Sequence, residues 1–304
     1  MRVLLAGYAA DRYISQHRYI AKTIEQKVLQ MNKAPTIAHD NAPSLTPLVT
    51  LLADDMEQVN AQIVARMASD VPLVPELAGH LIAAGGKRLR PLLTLAGARL
   101  AGGSPHAIGL ATAVEFIHSA TLLHDDVIDE SKLRRGHDTA NALWGNDASV
   151  LVGDFLFARA FELMVETDSL SVLGRLSNAS ARITEGEIKQ MTIAGVADTP
   201  AADYLDVIRN KTAILFAAAI AAGAEVAGAN KAVIEATHEY GLQLGMAFQI
   251  MDDAMDYSQS SAAMGKNRGD DFLDQKITLP MILAYGDGDE AERNFWHKTM
   301  RDGD

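Results

Sequence analysis

Asp125, Asp126 and Asp129 stand at the end of an apolar stretch, residues 114–123, where continued burial predicts more leucine. On a helix Asp125 and Asp129 lie one turn apart on a shared face, with His118 two turns earlier on the same side. Two carboxylates so placed hold a hard cation through oxygen. Mg²⁺, which keeps much of its water, binds substrate phosphates beside few protein ligands. Arg134, Arg135 and Gly136 follow on a predicted turn and bring two phosphate-capable side chains. Asp252, Asp253 and Asp256 repeat the DDxxD spacing far along the chain. One such cluster is a weak signal; two, each closing an apolar helix, are a strong one.

Cationic groups answer the acids. Gly85-Gly86 ends one predicted helix and Pro91 sits in the first turn of the next. Lys87, Arg88 and Arg90 therefore gather at a helix N-terminus, where unpaired N–H groups and the dipole favour anions. Lys87 and Arg90 can point together, with Arg88 leaning elsewhere. Alone, the segment reads equally as a basic surface loop; beside carboxylates suited to a metal-bound phosphate, the diphosphate reading prevails. Lys211-Thr212 open the apolar run AILFAAAIAAGA, where a lysine either snorkels or meets a buried anion. In TEGEIKQM, Glu187 and Gln190 either support the site from behind or form a polar helix face. Gln249 shares a broad stripe with the second acid cluster. The polar loop after it offers Lys266, Arg268 and Lys276 before Pro280 restarts a helix.

Long helices are needed to carry these groups. Helical spacing of apolar residues runs through 45–66, 107–123, 146–165, 178–193 and 241–257, with no period-two run and no hairpin dipeptide between β-branched stretches. The chain reads as all-α. Asp54-Asp55 have polar neighbours and read as a solvated face. The 304 residues, 48% hydrophobic and 22% charged, suit one large domain or two small ones. The apolar runs are broken by charge, which argues against a membrane span. The absence of cysteine excludes disulfides, thiolate metal sites and cysteine nucleophiles, and fits the cytoplasm. A net charge of −12 argues against a broad nucleic-acid surface. Residues 1–44 are net positive, lack a sustained period and lack a signal-peptide core, so they read as an N-terminal arm or extension. A partner or membrane-surface role is the alternative.

The motifs fall in a telling order: GGKRLRP (85–91), DDVID (125–129), RRG (134–136), EGEIKQ (185–190), KTA (211–213), FQIMDDAMDY (248–257) and GK…KITLP (265–280). With them the chain resembles the trans-isoprenyl diphosphate synthases of the polyprenyl synthetase family, of long-chain type, over roughly residues 45–285. The resemblance implies a bundle of long helices around a deep central cavity, one catalytic domain over 45–304, and usually a homodimer. It implies condensation of isopentenyl diphosphate with an allylic prenyl diphosphate. Asp125 and Asp129 would bind Mg²⁺ bridging the allylic diphosphate with Asp126 in support; Asp252 would hold a third ion, with Asp253 and Asp256 completing that cluster. Lys87, Arg90, His118 and Arg135 would grip isopentenyl diphosphate. Arg134, Lys211 and Lys266 would hold the allylic diphosphate and neutralise it as it leaves. Thr212 and Gln249 would sit near the developing cation, and Lys276 matches the basic residue before TLP.

Product length in such a family follows cavity depth, with bulky residues just before the first DDxxD closing the tunnel. Ala120 and Thr121 occupy those positions and neither is aromatic, so a product of about C40–C50 for a quinone side chain is expected. A short-chain (farnesyl or geranylgeranyl) synthase is the alternative. Asp274-Gln275 replaces the family's frequent Glu-Gly, and the chain stops at Asp304 where the family usually continues, so an incomplete terminus is expected. A terpene cyclase fits less well, since it needs no second diphosphate site. An HD-type phosphohydrolase is prompted by His124-Asp125, but His118 and His137 do not complete its pattern. An inactive regulatory subunit would typically have lost aspartates. Transient membrane contact for product release is compatible with the reading.

Overall fold

The computed structural model describes residues 44–83, 86–134, 136–257 and 270–302. They form helices α1 (Thr46–Leu51), α2 (Ala53–Arg66), α3 (Leu73–Ala83), α4 (Leu89–Leu100), α5 (Ala107–Ile128), α6 (Ala140–Trp144), α7 (Asn146–Val165), α8 (Leu170–Ile193), α9 (Ala201–Ile208), α10 (Ile214–Val226), α11 (Lys231–Asp256), α12 (Asp270–Leu273), α13 (Leu279–Asp287) and α14 (Glu290–Asp302). The stretch Arg209–Ala213, between α9 and α10, is a π-helical turn. The all-α expectation holds, with one addition. Leu133–Arg134 and His137–Asp138 pair antiparallel around Gly136, whose φ of 80° suits glycine. Two residues per strand leave no alternating pattern to read.

By their contacts the described residues fall into two compact units: 44–188 with 206–249, and 189–205 with 250–302. The first is built around α5, whose Leu110, Val114, Phe116, Ile117, Ala120 and Leu123 are all buried. Each large apolar side chain so buried contributes about 1.5–3 kcal/mol. Beside it, α10 is buried at ten successive positions, mostly alanine. Small residues let α10 lie backbone to backbone on α4: a methyl group on Gly97 would come within 2.1 Å of the Ile220 carbonyl oxygen, and one on Gly223 within 2.0 Å of that of Thr94. Where α5 meets α7, Gly153 makes room for the His124 ring, which bonds the Val150 carbonyl at 3.1 Å. The second unit has its own core of Ala197, Ile277, Met281, Trp296 and Met300, with Phe272 edge-on to Trp296.

Ala107–Ile128 and Ala201–Val226 are long and apolar enough to cross a membrane, but most of each is buried within the fold, as expected of core helices. Asp54 is exposed on α2, in keeping with a solvated face. Residues 1–43, and with them nearly all of the expected N-terminal arm, lie outside the described residues.

Candidate active site

Helix α5 ends in the first acid cluster. Leu123 and Asp126 lie one turn apart, and both are buried; Asp126 is only 4% exposed. A carboxylate can occupy that core position because the hairpin returns Arg134 to it. The Arg134 Nε donates to Oδ1 and Oδ2 at 2.9 and 3.1 Å, and Nη2 donates to Oδ1 at 2.6 Å. Such a two-pronged ion pair is the strong form of the contact. Burial would lower the pKa of Arg134, but the bond and charge of Asp126 outweigh it and raise it. Asn141 Nδ2 ties the same corner by donating to the carbonyls of Asp126 and Ser131, each at 3.1 Å. Arg134 thus rests on a carboxylate, where the resemblance assigns it to a diphosphate.

Asp125 and Asp129 are partly exposed beside this clamp. Burial, then the negative charges of Glu187 and Asp129, push the Asp125 carboxyl up to about 7 against the opposing pull of Lys211 and Arg134. Lys211 comes from the π turn, and its Nζ lies 2.5 Å from Oε2 of Glu187, a buried residue of α8. The next residue, Thr212, donates its hydroxyl to Gln249 Oε1 at 2.9 Å. Two residues expected near the developing cation are therefore in contact.

At the start of α4 the basic residues part company. Arg88 turns away into an ion pair with buried Glu115. Its backbone is left-handed, φ 46°, an uncommon conformation that this pairing helps to hold. Arg90 Nη1 lies 3.1 Å from His118 Nε2, so two groups assigned to isopentenyl diphosphate meet. Its guanidinium also stacks over the Phe216 ring, 4.6 Å from the centroid. Lys87 is exposed.

In the other unit, Asp253 and Asp256 are buried at the end of α11, while Asp252 is partly exposed. Tyr204, 2% exposed, donates its hydroxyl to Asp253 Oδ2 at 2.6 Å. Burial and the Asp253 charge raise the Tyr204 pKa far above the ordinary phenol value. The backbone N–H of Asp271 donates to Asp256 Oδ2 at 3.3 Å. Lys276 Nζ lies 3.0 Å from Asp274. Arg135, Lys266 and Arg268 fall outside the described residues.

Ala120 is fully buried in the core of α5; Thr121 is partly exposed and donates its hydroxyl to the His118 carbonyl at 2.8 Å. Tyr204 and Asn141 were not singled out in the sequence, because a tyrosine among apolar residues and an asparagine near a turn are ordinary. The only available hint for Tyr204 was its position two helical turns before Lys211. Glu187, left open between support and surface, is buried beside Lys211.

Among the described residues no three acidic or histidine groups close around a point by themselves. Mg²⁺ takes one or two carboxylates and completes its shell with water and substrate phosphate. The donors are hard oxygens, and Asp125, whose carboxyl is raised by burial and then by the charges of Glu187 and Asp129, would be favoured as the anion by a divalent cation. The residues fit the ion.

An all-helical fold carrying two aspartate clusters, with lysine and arginine supplied from neighbouring elements, defines a helical enzyme that works on diphosphates. The chain belongs to the polyprenyl synthetase family, whose model matches residues 71–304. It is 45% identical over 262 residues to octaprenyl diphosphate synthase of Haemophilus influenzae, covering 86% of this chain and 79% of that one. A solved decaprenyl diphosphate synthase from Rhodobacter capsulatus is 54% identical with a TM-score of 0.82, over 86% of this chain and 81% of its own. A polyprenyl synthase from Caulobacter crescentus, solved with calcium and isoprenyl diphosphate, is 53% identical with a TM-score of 0.82, over 86% and 80%. The expected class, a long-chain prenyltransferase, agrees with these relatives. The phosphohydrolase reading finds no support in them, and His124 faces the α7 backbone.

Proposed function

We propose that the protein condenses isopentenyl diphosphate with an allylic prenyl diphosphate, in a Mg²⁺-dependent reaction, to give an all-trans polyprenyl diphosphate of octaprenyl to decaprenyl length. The observation that carries this reading is Lys211 held on Glu187 within electrostatic reach of Asp125, with the next residue, Thr212, bonded to Gln249. Breaking the allylic C–O bond separates a diphosphate anion from a carbocation. Asp125 and Asp129, and separately Asp252, Asp253 and Asp256, would hold Mg²⁺, which when bound would supply Lewis-acid charge to the leaving group.

The chain's own residues do the rest. Lys211 offsets the charge that develops on the departing diphosphate, and a fixed cation does so without reorganising at the moment of reaction. Arg90 and His118, with Lys87 and Arg135, hold the second diphosphate so that its terminal alkene carbon approaches the cation. The oxygens of Thr212 and Gln249 place partial negative charge near that carbon. Phe216 and Phe248, their ring centroids 5.4 Å apart, are apolar surface that keeps water from quenching it. A carbon–carbon bond forms, and the neighbouring C–H proton leaves to the departing diphosphate. Lys266 and Lys276 are read as further contacts to the allylic diphosphate. Arg134 is read as acting there through Asp126, the carboxylate it holds.

Small residues at 120 and 121 and the octaprenyl and decaprenyl relatives support a long product over a short one. A quinone side chain as the product's destination, three ions per site, a homodimer, a cytoplasmic location and one catalytic domain over 45–304 belong to the same reading. The test incubates purified protein with Mg²⁺, isopentenyl diphosphate and farnesyl diphosphate and resolves products by chain length. Octaprenyl to decaprenyl products are expected, and none when the metal is chelated. Products that stop at geranylgeranyl length, or no Mg²⁺-dependent product, refute the reading.

A further inference from the structure

Glu187 belongs to neither acid cluster, yet it is buried, 7% exposed, on the inner side of α8. Its Oε2 lies 2.5 Å from the Lys211 ammonium. Among the described residues no aligned hydrogen-bond donor reaches that oxygen, so charge and proximity hold the pair. A buried carboxylate favours a paired cation, which accounts for Lys211 resting on Glu187 while no other anion is bound. The backbone is gripped as well. A methyl group on Gly186 would come within 2.6 Å of the Lys211 backbone nitrogen and 3.0 Å of Asn210 Cβ, so α8 seats directly on the π turn. Turns of this kind recur at functional sites, where they redirect one side chain from a helix.

We propose that Glu187 is a positioning residue for Lys211: it parks the ammonium beside Asp125 and yields it to the allylic diphosphate when that group ionises. This rests on the prenyltransferase reading above. A free lysine would lose rotamer freedom on meeting the diphosphate, whereas one already docked loses little. The pair, held by charge without an aligned hydrogen bond, is suited to being exchanged for a stronger anion.

The test uses the full chain with Mg²⁺, isopentenyl diphosphate and farnesyl diphosphate. Glu187→Gln keeps shape and removes charge; kcat is expected to fall roughly 10- to 100-fold, as when groups that orient a ligand are lost, with KM for isopentenyl diphosphate unchanged. Lys211→Gln combined with Glu187→Gln should be no slower than Lys211→Gln alone, because the carboxylate acts through the lysine. Glu187→Asp keeps the charge at shorter reach and should fall between wild type and Glu187→Gln; it carries the same cycle if Glu187→Gln does not fold. Wild-type kcat in Glu187→Gln, penalties that multiply in the double variant, or an equal loss in KM for isopentenyl diphosphate would overturn the proposal. An inactive wild type would instead sink the reading on which it rests.

Discussion

Asp125 carries its charge at a cost that a cation can lift. In the folded, metal-free protein its carboxyl ionises near about 7, against 3.8 for a free aspartate, because burial and the charges of Glu187 and Asp129 disfavour the anion. Between these values the folded chain binds a proton that the unfolded chain has released, so stability falls as pH rises. The contribution is fully present below about 4 and gone above about 7. In EDTA, the melting temperature of Asp125→Asn should therefore gain on that of wild type as pH climbs from 4 to 7 and then hold a constant lead. A constant difference across that window would contradict the assignment. Tyr204 offers a second test at this scale. Tyr204→Phe removes only the hydroxyl that fixes Asp253. It should leave the fold intact while raising the Mg²⁺ needed for half-maximal rate, roughly 10-fold, as lost support behind a metal ligand does. The aspartates stood out in the sequence because acids interrupt an apolar helical run, whereas roles for Arg90, His118, Thr212 and Gln249 came with the resemblance. Tyr204 was not, because its partner Asp253 lies far along the chain and only the fold joins them.

Elements here are set by where the backbone can come close. α4 and α10 touch through Gly97 and Gly223, each facing a carbonyl oxygen with no space for a methyl group. Gly97→Ala should cost about 1–3 kcal/mol by overpacking, seen as a lower denaturation midpoint. Gly79, on α3, has nothing within 4 Å of the added carbon. Gly79→Ala should be neutral or stabilising by up to about 1 kcal/mol through helix propensity. Equal effects at the two positions would mean that backbone contact is not what selects glycine at 97. Helix existence was readable from the 3.6-residue period, and the start of α4 from Gly86 and Pro91. The hairpin and the π turn were not, since two-residue strands and one extra residue in a helical turn hardly disturb the apolar pattern.

For the whole molecule, the proposed long product requires room for a growing chain to extend before it meets protein. Ala120, buried on the helix that ends in the first acid cluster, is the position where added bulk is expected to matter most. Ala120→Phe should shift the product distribution to shorter prenyl diphosphates while turnover of isopentenyl diphosphate continues, as chromatography of dephosphorylated products will read. An unchanged distribution would move the length determinant to deeper residues. Composition and period already indicated an all-α chain, but they could not place side chains that meet only through the packing of α5, α8, α10 and the π turn.

The π turn at Arg209–Ala213 is, in register, one residue more than a regular helix needs. Deleting a single position there would let the segment close into ordinary α geometry and swing every side chain on its N-terminal side by about 100° relative to α10. Lys211 and Thr212 owe their present aim to that surplus residue. One added residue in a helical turn is enough to aim an otherwise unremarkable lysine at Glu187.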